Sequence, residues 1–244
     1  MIRYIYILFI IVIYSCDNIN IADTGIESEI LKTKTKYLID NSTKEISNAL
    51  YIRHYNPKGE FIKLIEFNQS NSTRKTTTVK KNINVITETV ITEDELGNPI
   101  KEIINEILID DKGNPKRVYV FNSIGTKIKT INLEYDDNGN LTKEQTCFED
   151  GQCGIETTYD IIYDKKTGQI KKITILDNKI IRSYDEINQN GFNELSRVTK
   201  DVNNITQKIN KFIYGTNGEI EYHYILDANY NIELSYKYDY QYYQ

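Results

Sequence analysis

The feature that most constrains this chain is the cadence of its turn signals. Gly97, Gly113, Gly125, Gly139 and Gly151 follow one another at intervals of 16, 12, 14 and 12 residues. Each sits in a short polar cluster such as Leu96-Gly97-Asn98-Pro99, Asp110-Asp111-Lys112-Gly113-Asn114 or Asp136-Asp137-Asn138-Gly139-Asn140. Comparable clusters stand at 55–59, 149–151, 165–168, 177–179, 188–191, 203–204, 216–218 and 227–229. Asn-Gly and Asp-Gly pairs tolerate the positive φ that two-residue hairpin turns require. A strand plus a tight turn takes about 8–12 residues, so the cadence reads as a β-meander.

The segments between the turns agree. Thr126 to Tyr135 (TKIKTINLEY), Gln169 to Leu176 (QIKKITIL), Asn84 to Thr92 (NVITETVIT) and Ile205 to Tyr214 (ITQKINKFIY) alternate β-branched with charged residues. That is the pattern of strands apolar on one face and wet on the other. Tyr, at 20 residues with no Trp, also favours strands. One segment dissents: Ile100, Ile103, Ile104, Ile107 and Leu108 follow helical spacing behind Asn98 and Pro99. Its isoleucines and flanking turns favour a long strand, with a helix over 99–109 left open. The expected body, residues 28–244, is an all-β antiparallel meander of repeated hairpins, built as an open twisted sheet or a sandwich.

Residues 1–15 read as a signal peptide. Arg3 supplies a positive start, and Tyr4 to Tyr14 is an apolar run of about a dozen residues, short of the ~20 that a spanning helix needs. The run ends in Ile13-Tyr14-Ser15-Cys16, which resembles the lipobox of bacterial lipoproteins. The resemblance implies cleavage after Ser15 and acylation at Cys16. Three acyl chains exceed the two signals that stable anchoring takes. An ordinary cleaved secretory signal and an uncleaved anchor are the competing readings. Residues 16–27 then form the lipidated cysteine and a polar tether.

A second resemblance concerns the body. Tyr135-Asp136-Asp137-Asn138-Gly139-Asn140-Leu141-Thr142, followed by Gly154, Thr157-Thr158-Tyr159 and Tyr163-Asp164, looks like the YD-repeat pattern of RHS-type proteins. Looser echoes occur at Tyr55, Tyr184-Asp185 and Tyr214. The resemblance implies hairpin sheets. The toxin-enclosing role of long family members is not implied for a chain of 244 residues.

Few residues invite chemistry. Cys147 and Cys153 flank a five-residue loop, which places them on facing strands within disulfide reach. Free thiols or half of a zinc site compete with a disulfide, but no second Cys or His pair lies nearby to complete the zinc. Glu134, Asp136, Asn138 and Gly139 echo the start of a calcium loop, yet the twelfth position is Gln145. Tyr222 and Tyr224 share one strand face, and Tyr236, Tyr238, Tyr240 and Tyr242 share another, forming a ladder able to bind a glycan or protein or simply to pack. His54 and His223, the only histidines, read as structural. No nucleophile elbow, zinc-protease motif or phosphate loop is present. A net charge of -5 without a basic block argues against nucleic acid.

The expected role is a non-enzymatic binding or scaffolding module. It would be lipid-anchored through Cys16 to a bacterial envelope membrane, the outer membrane being favoured, and would face the periplasm or the surface. Its expected partner is a protein or glycan, with no cofactor or metal. A toxin-associated or immunity-type accessory protein and an envelope hydrolase with an acidic site are the alternatives.

Overall fold

The computed structural model describes residues 30–68, 74–191 and 193–243, and the expectations for 1–15 and 16–27 lie outside them. The chain forms strands β1 (Leu31–Ile39), β2 (Ile46–Tyr55), β3 (Phe61–Phe67), β4 (Arg74–Lys81), β5 (Val85–Glu93) and β6 (Pro99–Ile109). It continues through β7 (Pro115–Asn122), β8 (Lys127–Tyr135), β9 (Leu141–Phe148), β10 (Cys153–Tyr163) and β11 (Ile170–Asp177). The last five are β12 (Ile180–Asn190), β13 (Asn193–Asp201), β14 (Thr206–Tyr214), β15 (Ile220–Leu226) and β16 (Ile232–Tyr242). Each pairs antiparallel with its sequence neighbours, and β16 returns to pair with β1, closing a barrel of sixteen strands.

The all-β expectation holds. The open sheet or sandwich does not: the register Lys34↔Tyr240, Lys36↔Tyr238 and Leu38↔Tyr236 joins the first strand to the last and leaves no edge. The turns explain the closure. In the loop Asp110–Asn114 the Gly113 N–H donates to the Asp110 carbonyl, and the Asp110 N–H to the Asn114 carbonyl. The Asp110 Oδ1 also accepts from the N–H groups of Lys112 and Asn114. With Gly113 at φ 88°, this is a three-residue loop ending in a glycine bulge rather than the expected two-residue turn. The same ring of bonds recurs at Asp94–Asn98, Asn122–Thr126, Asp136–Asn140 and Asp227–Asn231, the last with Tyr230 in the glycine slot at φ 66°. Only Asn178-Lys179, both at positive φ, make a two-residue turn of the expected kind among the described residues.

A second irregularity follows most turns. Leu108 pairs with Arg117 but Ile109 with Pro115, so Lys116 is an extra residue, and Ile62, Ile100 and Ile128 are extra in the same way. Bulges raise the right-handed twist and bend the strand. Repeated along one wall, they curl a meander until its two edges meet.

Strand alternation separates two faces. The inner face carries most of the buried side chains, including Leu64, Thr77, Ile86, Glu88, Asn105, Ile107, Val118, Val120, Ile131 and Leu133. Register aligns them across strands: Ile86↔Ile107↔Val118↔Ile131 forms one row. Ile86, Ile107, Val118, Val120, Ile131 and Leu133 form the core cluster, with Val79, Ile103, Ile109, Tyr135 and Leu141 against it. Buried Glu88 accepts a hydrogen bond from Asn105 Nδ2 at 3.0 Å, which meets part of the cost of placing a carboxylate there. Residues 99–109 are β6, whose Ile103, Asn105 and Ile107 face inward while Ile104 and Leu108 face outward.

The barrel has two ends. Ile30 and Tyr243 meet at one of them, where the Tyr243 N–H donates to the Ile30 carbonyl. Among the described turns, this proximal end holds β2–β3, β4–β5, β6–β7, β8–β9, β10–β11 and β14–β15. The distal end holds the β1–β2, β5–β6, β7–β8, β9–β10, β11–β12, β13–β14 and β15–β16 turns. Ile86, Ile107, Val118 and Leu133 lie in the proximal half, so the best-sealed part of the interior is on the side where the described chain begins.

Candidate functional site

The inner wall differs in chemistry from sector to sector. Strands β5 to β8 present the apolar cluster. Across β1, β2 and β14–β16 the lining turns cationic and aromatic. On β1, whose sequence LKTKTKYLI alternates, Lys34 and Lys36 point inward beside Arg53 of β2. Lys36 Nζ stands 3.7 Å from the Tyr236 ring centre and 5.7 Å from that of Tyr238, and Lys34 Nζ lies 5.6 and 5.5 Å from Tyr238 and Tyr240. Burial, then repulsion from Arg53, Lys208 and Lys34, pushes the Lys36 ammonium down to about 8. Tyr238 and Tyr240 are held protonated, chiefly by burial. Lys34, Lys36, Arg53 and Lys208 were not foreseen. Period-two lysines in a strand normally mark a wet outer face, and sequence alone does not say which face is inside.

His223 stacks on Phe212 at 4.5 Å and lies 5.4 Å from Tyr236. Its Nε2 is 3.1 Å from Asn210 Oδ1. Burial, followed by repulsion from Lys36 and Lys208, holds it neutral down to about 3. His54, on the outer face, is lowered by burial and by Lys63.

The barrel divides the tyrosine ladder. Tyr222 and Tyr224 pair with Lys237 and Ser235, on the outer side, whereas Tyr236, Tyr238 and Tyr240 face the interior. The two sets are therefore not one surface. The Tyr222 and Tyr224 rings stack on each other at 6.2 Å. Tyr240 donates its hydroxyl hydrogen to the Ile220 carbonyl at 2.8 Å, and Tyr238 is buried. Tyr242 accepts from Asn217 Nδ2 at 3.3 Å.

A disulfide joins Cys147 to Cys153 across the distal β9–β10 turn. Asp136, of the calcium-like segment, is engaged by its own turn and by the Tyr163 hydroxyl, and Asn140 Nδ2 donates to that hydroxyl at 2.7 Å. Among the described residues no three His, Cys, Asp or Glu side chains gather as a metal cluster. A groove of about 640 Å³ lies on the outer wall, lined by Leu108, Arg117, Asn132, Glu134, Lys143 and Gln145 among others. Three of its charged side chains are already engaged: Lys143 bridges Glu134 and Glu156, and Arg117 Nε donates to Asn132.

These groups dictate a response to acid. His223 stays neutral in the fold, so from pH 6.5 downward the unfolded chain binds a proton that the folded one does not. Hydrogen bonds within the turns lower Asp40 to about 2 and also lower Asp94 and Asp227, with a net downward shift for Asp110 and Asp136 despite burial. Stability is therefore expected to fall in two stages, first below pH 6.5 and then below 3.8, where free carboxylates protonate. Chemical denaturation across pH 7 to 3 checks this, and H223Q should shrink the first stage, leaving the part that His54 contributes, without changing the second.

The outer wall is charged along its length. Arg74 pairs with Glu93, Lys75 with Glu66 across the inner register, Lys200 with Glu186, and Lys237 with Asp239. Of these, all but Lys75–Glu66 lie on the outer face.

No protein-family model matches the chain, and no curated protein matches its sequence. Its fold is similar to that of a porin-like protein from Bacteroides uniformis ATCC 8492. The TM-score is 0.56 at 11% identity, with 86% of this chain and 98% of that one covered. A porin-like protein from Bacteroides vulgatus ATCC 8482 gives a TM-score of 0.50 at 10% identity, covering 87% and 99%. At these identities the likeness is one of fold.

Proposed function

We propose that this chain is a non-enzymatic binding module of a bacterial envelope, held to a membrane by lipid on Cys16, with its barrel standing in water. The observation that carries the reading is the polarity of the outer wall. A barrel that crosses a bilayer shows an apolar band outward, and a Lys or Arg at the midplane of that band costs about 2–4 kcal/mol. Here Lys143, Lys200 and Lys237 point outward in paired charge clusters with Glu134, Glu156, Glu186 and Asp239. Immersion would bury all of them, so the fold shared with porin-like proteins is used here outside the hydrocarbon. The Ile13-Tyr14-Ser15-Cys16 segment supplies the membrane attachment that such a barrel lacks.

The test is metabolic labelling with an alkynyl palmitate, followed by fractionation. The expected result is label on the wild-type chain and none on C16A, which should leave the membrane fraction and stay folded without detergent. A C16A chain that resists alkaline extraction from membranes, as an integral barrel does, would overturn the reading.

A further inference from the structure

The two ends of the barrel use the same turn but decorate it differently. At the proximal end, the residue before the turn glycine is Lys58, Lys112, Asn138 or Asn217. At the distal end, the matching position holds Leu96, 87% exposed, and Ile124, 83% exposed, at two turns, and polar Asp150, Asn203 and Asn229 at three others. At the proximal end the β4–β5 turn carries exposed Ile83. The backbone bonds of these turns are alike, so the apolar side chains are not demanded by turn geometry. The pattern continues around the mouth with Phe148, Ile180, Val202 and Tyr230, each at or beside a successive distal turn and each exposed. Of the 19 large hydrophobic residues exposed on the described chain, 14 lie toward the distal end. Scattered exposed apolar residues are ordinary, but a ring of them at one end marks an interaction surface.

Charge narrows the occupant. The described distal turn segments carry Asp40, Glu45, Asp94, Glu95, Glu149, Asp150 and Asp227 against two lysines, Lys44 and Lys179. A groove of about 570 Å³ on this rim joins both characters, with Phe67, Ala49 and Leu96 beside Asp94 and Glu95. Arg74, also on the groove, is bound to Glu93 at 2.6 Å. An anionic bilayer would be repelled by such a rim, whereas a protein with an apolar patch edged by Lys or Arg matches it. The disulfide at the foot of the β9–β10 turn holds that tip in place.

We infer that the distal rim is a docking face for a protein whose surface is apolar and basic, presented on the side of the barrel opposite the end where Ile30 leads back to Cys16. This deepens, and rests on, the anchored binding-module reading. The anchor would place the proximal end toward the membrane and the rim outward, where a partner can reach it.

The experiment uses the full chain with Cys16 intact, in the cells that make it. A photo-crosslinking amino acid is placed at Leu96 or Ile124 and, as control, at Lys58 or Lys112. Expected are protein adducts from the distal positions alone, their crosslinked peptides rich in Lys or Arg. With the probe at Ile124, adduct yield should fall at least about tenfold in L96S/I180S and in E95Q/E149Q/D150N, equivalent to about 1.4 kcal/mol. Adducts between two copies of the chain, adducts to lipid only, equal adducts from both ends, or no distal adduct would overturn the docking face. So would a yield that ignores both sets of substitutions. Palmitate labelling of the same cells separates the two failures: missing adducts on a labelled chain refute the docking face alone, and an unlabelled chain refutes the anchored reading.

Discussion

Replacing Ile107 by alanine is expected to cost about 2–5 kcal/mol of folding stability. Ile107 has no exposed surface, and its register partners Ile86 and Val118 are buried with it. Shortening it leaves a cavity in the centre of the apolar cluster, where neighbours on closed hydrogen-bonded strands have little freedom to collapse inward. Ile100, on the same strand, is 61% exposed, and its change to alanine should stay within about 0.5 kcal/mol. Urea denaturation of the two variants makes the comparison. Equal losses would mean that the row Ile86, Ile107, Val118 and Ile131 is not the core of the barrel.

The second large effect has the opposite sign. Lys36→Met is expected to stabilise the barrel at neutral pH. The folded-state pKa of Lys36 is near 8, against an ordinary 10.5, chiefly from burial and then from three neighbouring cations. Below about 8 the ammonium is charged in both states, and the fold bears the full penalty. From the gap of about 2.5 units the penalty is roughly 3 kcal/mol, and attraction to the Tyr236 ring returns about 0.5–2 kcal/mol of it. A net gain of about 1–3 kcal/mol is therefore expected for a methionine of similar shape. As pH rises from about 8 to 10.5 the folded wild type has already lost the proton that the unfolded chain still holds. Wild-type stability should rise across that window and the advantage of the variant should shrink. A variant less stable than wild type at pH 7 would show that Lys36 supports the fold through its charge.

Both predictions depend on knowing which face of a strand is inside, and that divides what was legible in the sequence from what was not. The turn clusters announced the hairpins, because Asp, Asn and Gly at fixed offsets are what a reversing backbone requires. Alternation in NVITETVIT and TKIKTINLEY announced strands, and the 99–109 segment resolved as a strand once β5 and β7 flanked it. The apolar tips were also visible in principle, since Leu96 and Ile124 stand inside clusters where polar residues are the norm. Their meaning was not visible, because only the barrel gathers turns that lie far apart in the chain into one rim.

Closure was the main thing hidden. No residue near Lys36 signals that Tyr238, two hundred positions away, is its neighbour. The bulges that bend the wall leave no dependable mark in composition. Closure in turn set the fate of the tyrosines: a one-residue alternation sends Tyr236, Tyr238 and Tyr240 inward while Tyr222 and Tyr224 stay outside. The local sequence thus determined the hairpins, their turns and the two-faced strands, because those depend on backbone preferences within about ten residues. The tertiary structure alone decided inside from outside and proximal from distal, because these depend on twist summed over sixteen strands until the first strand meets the last.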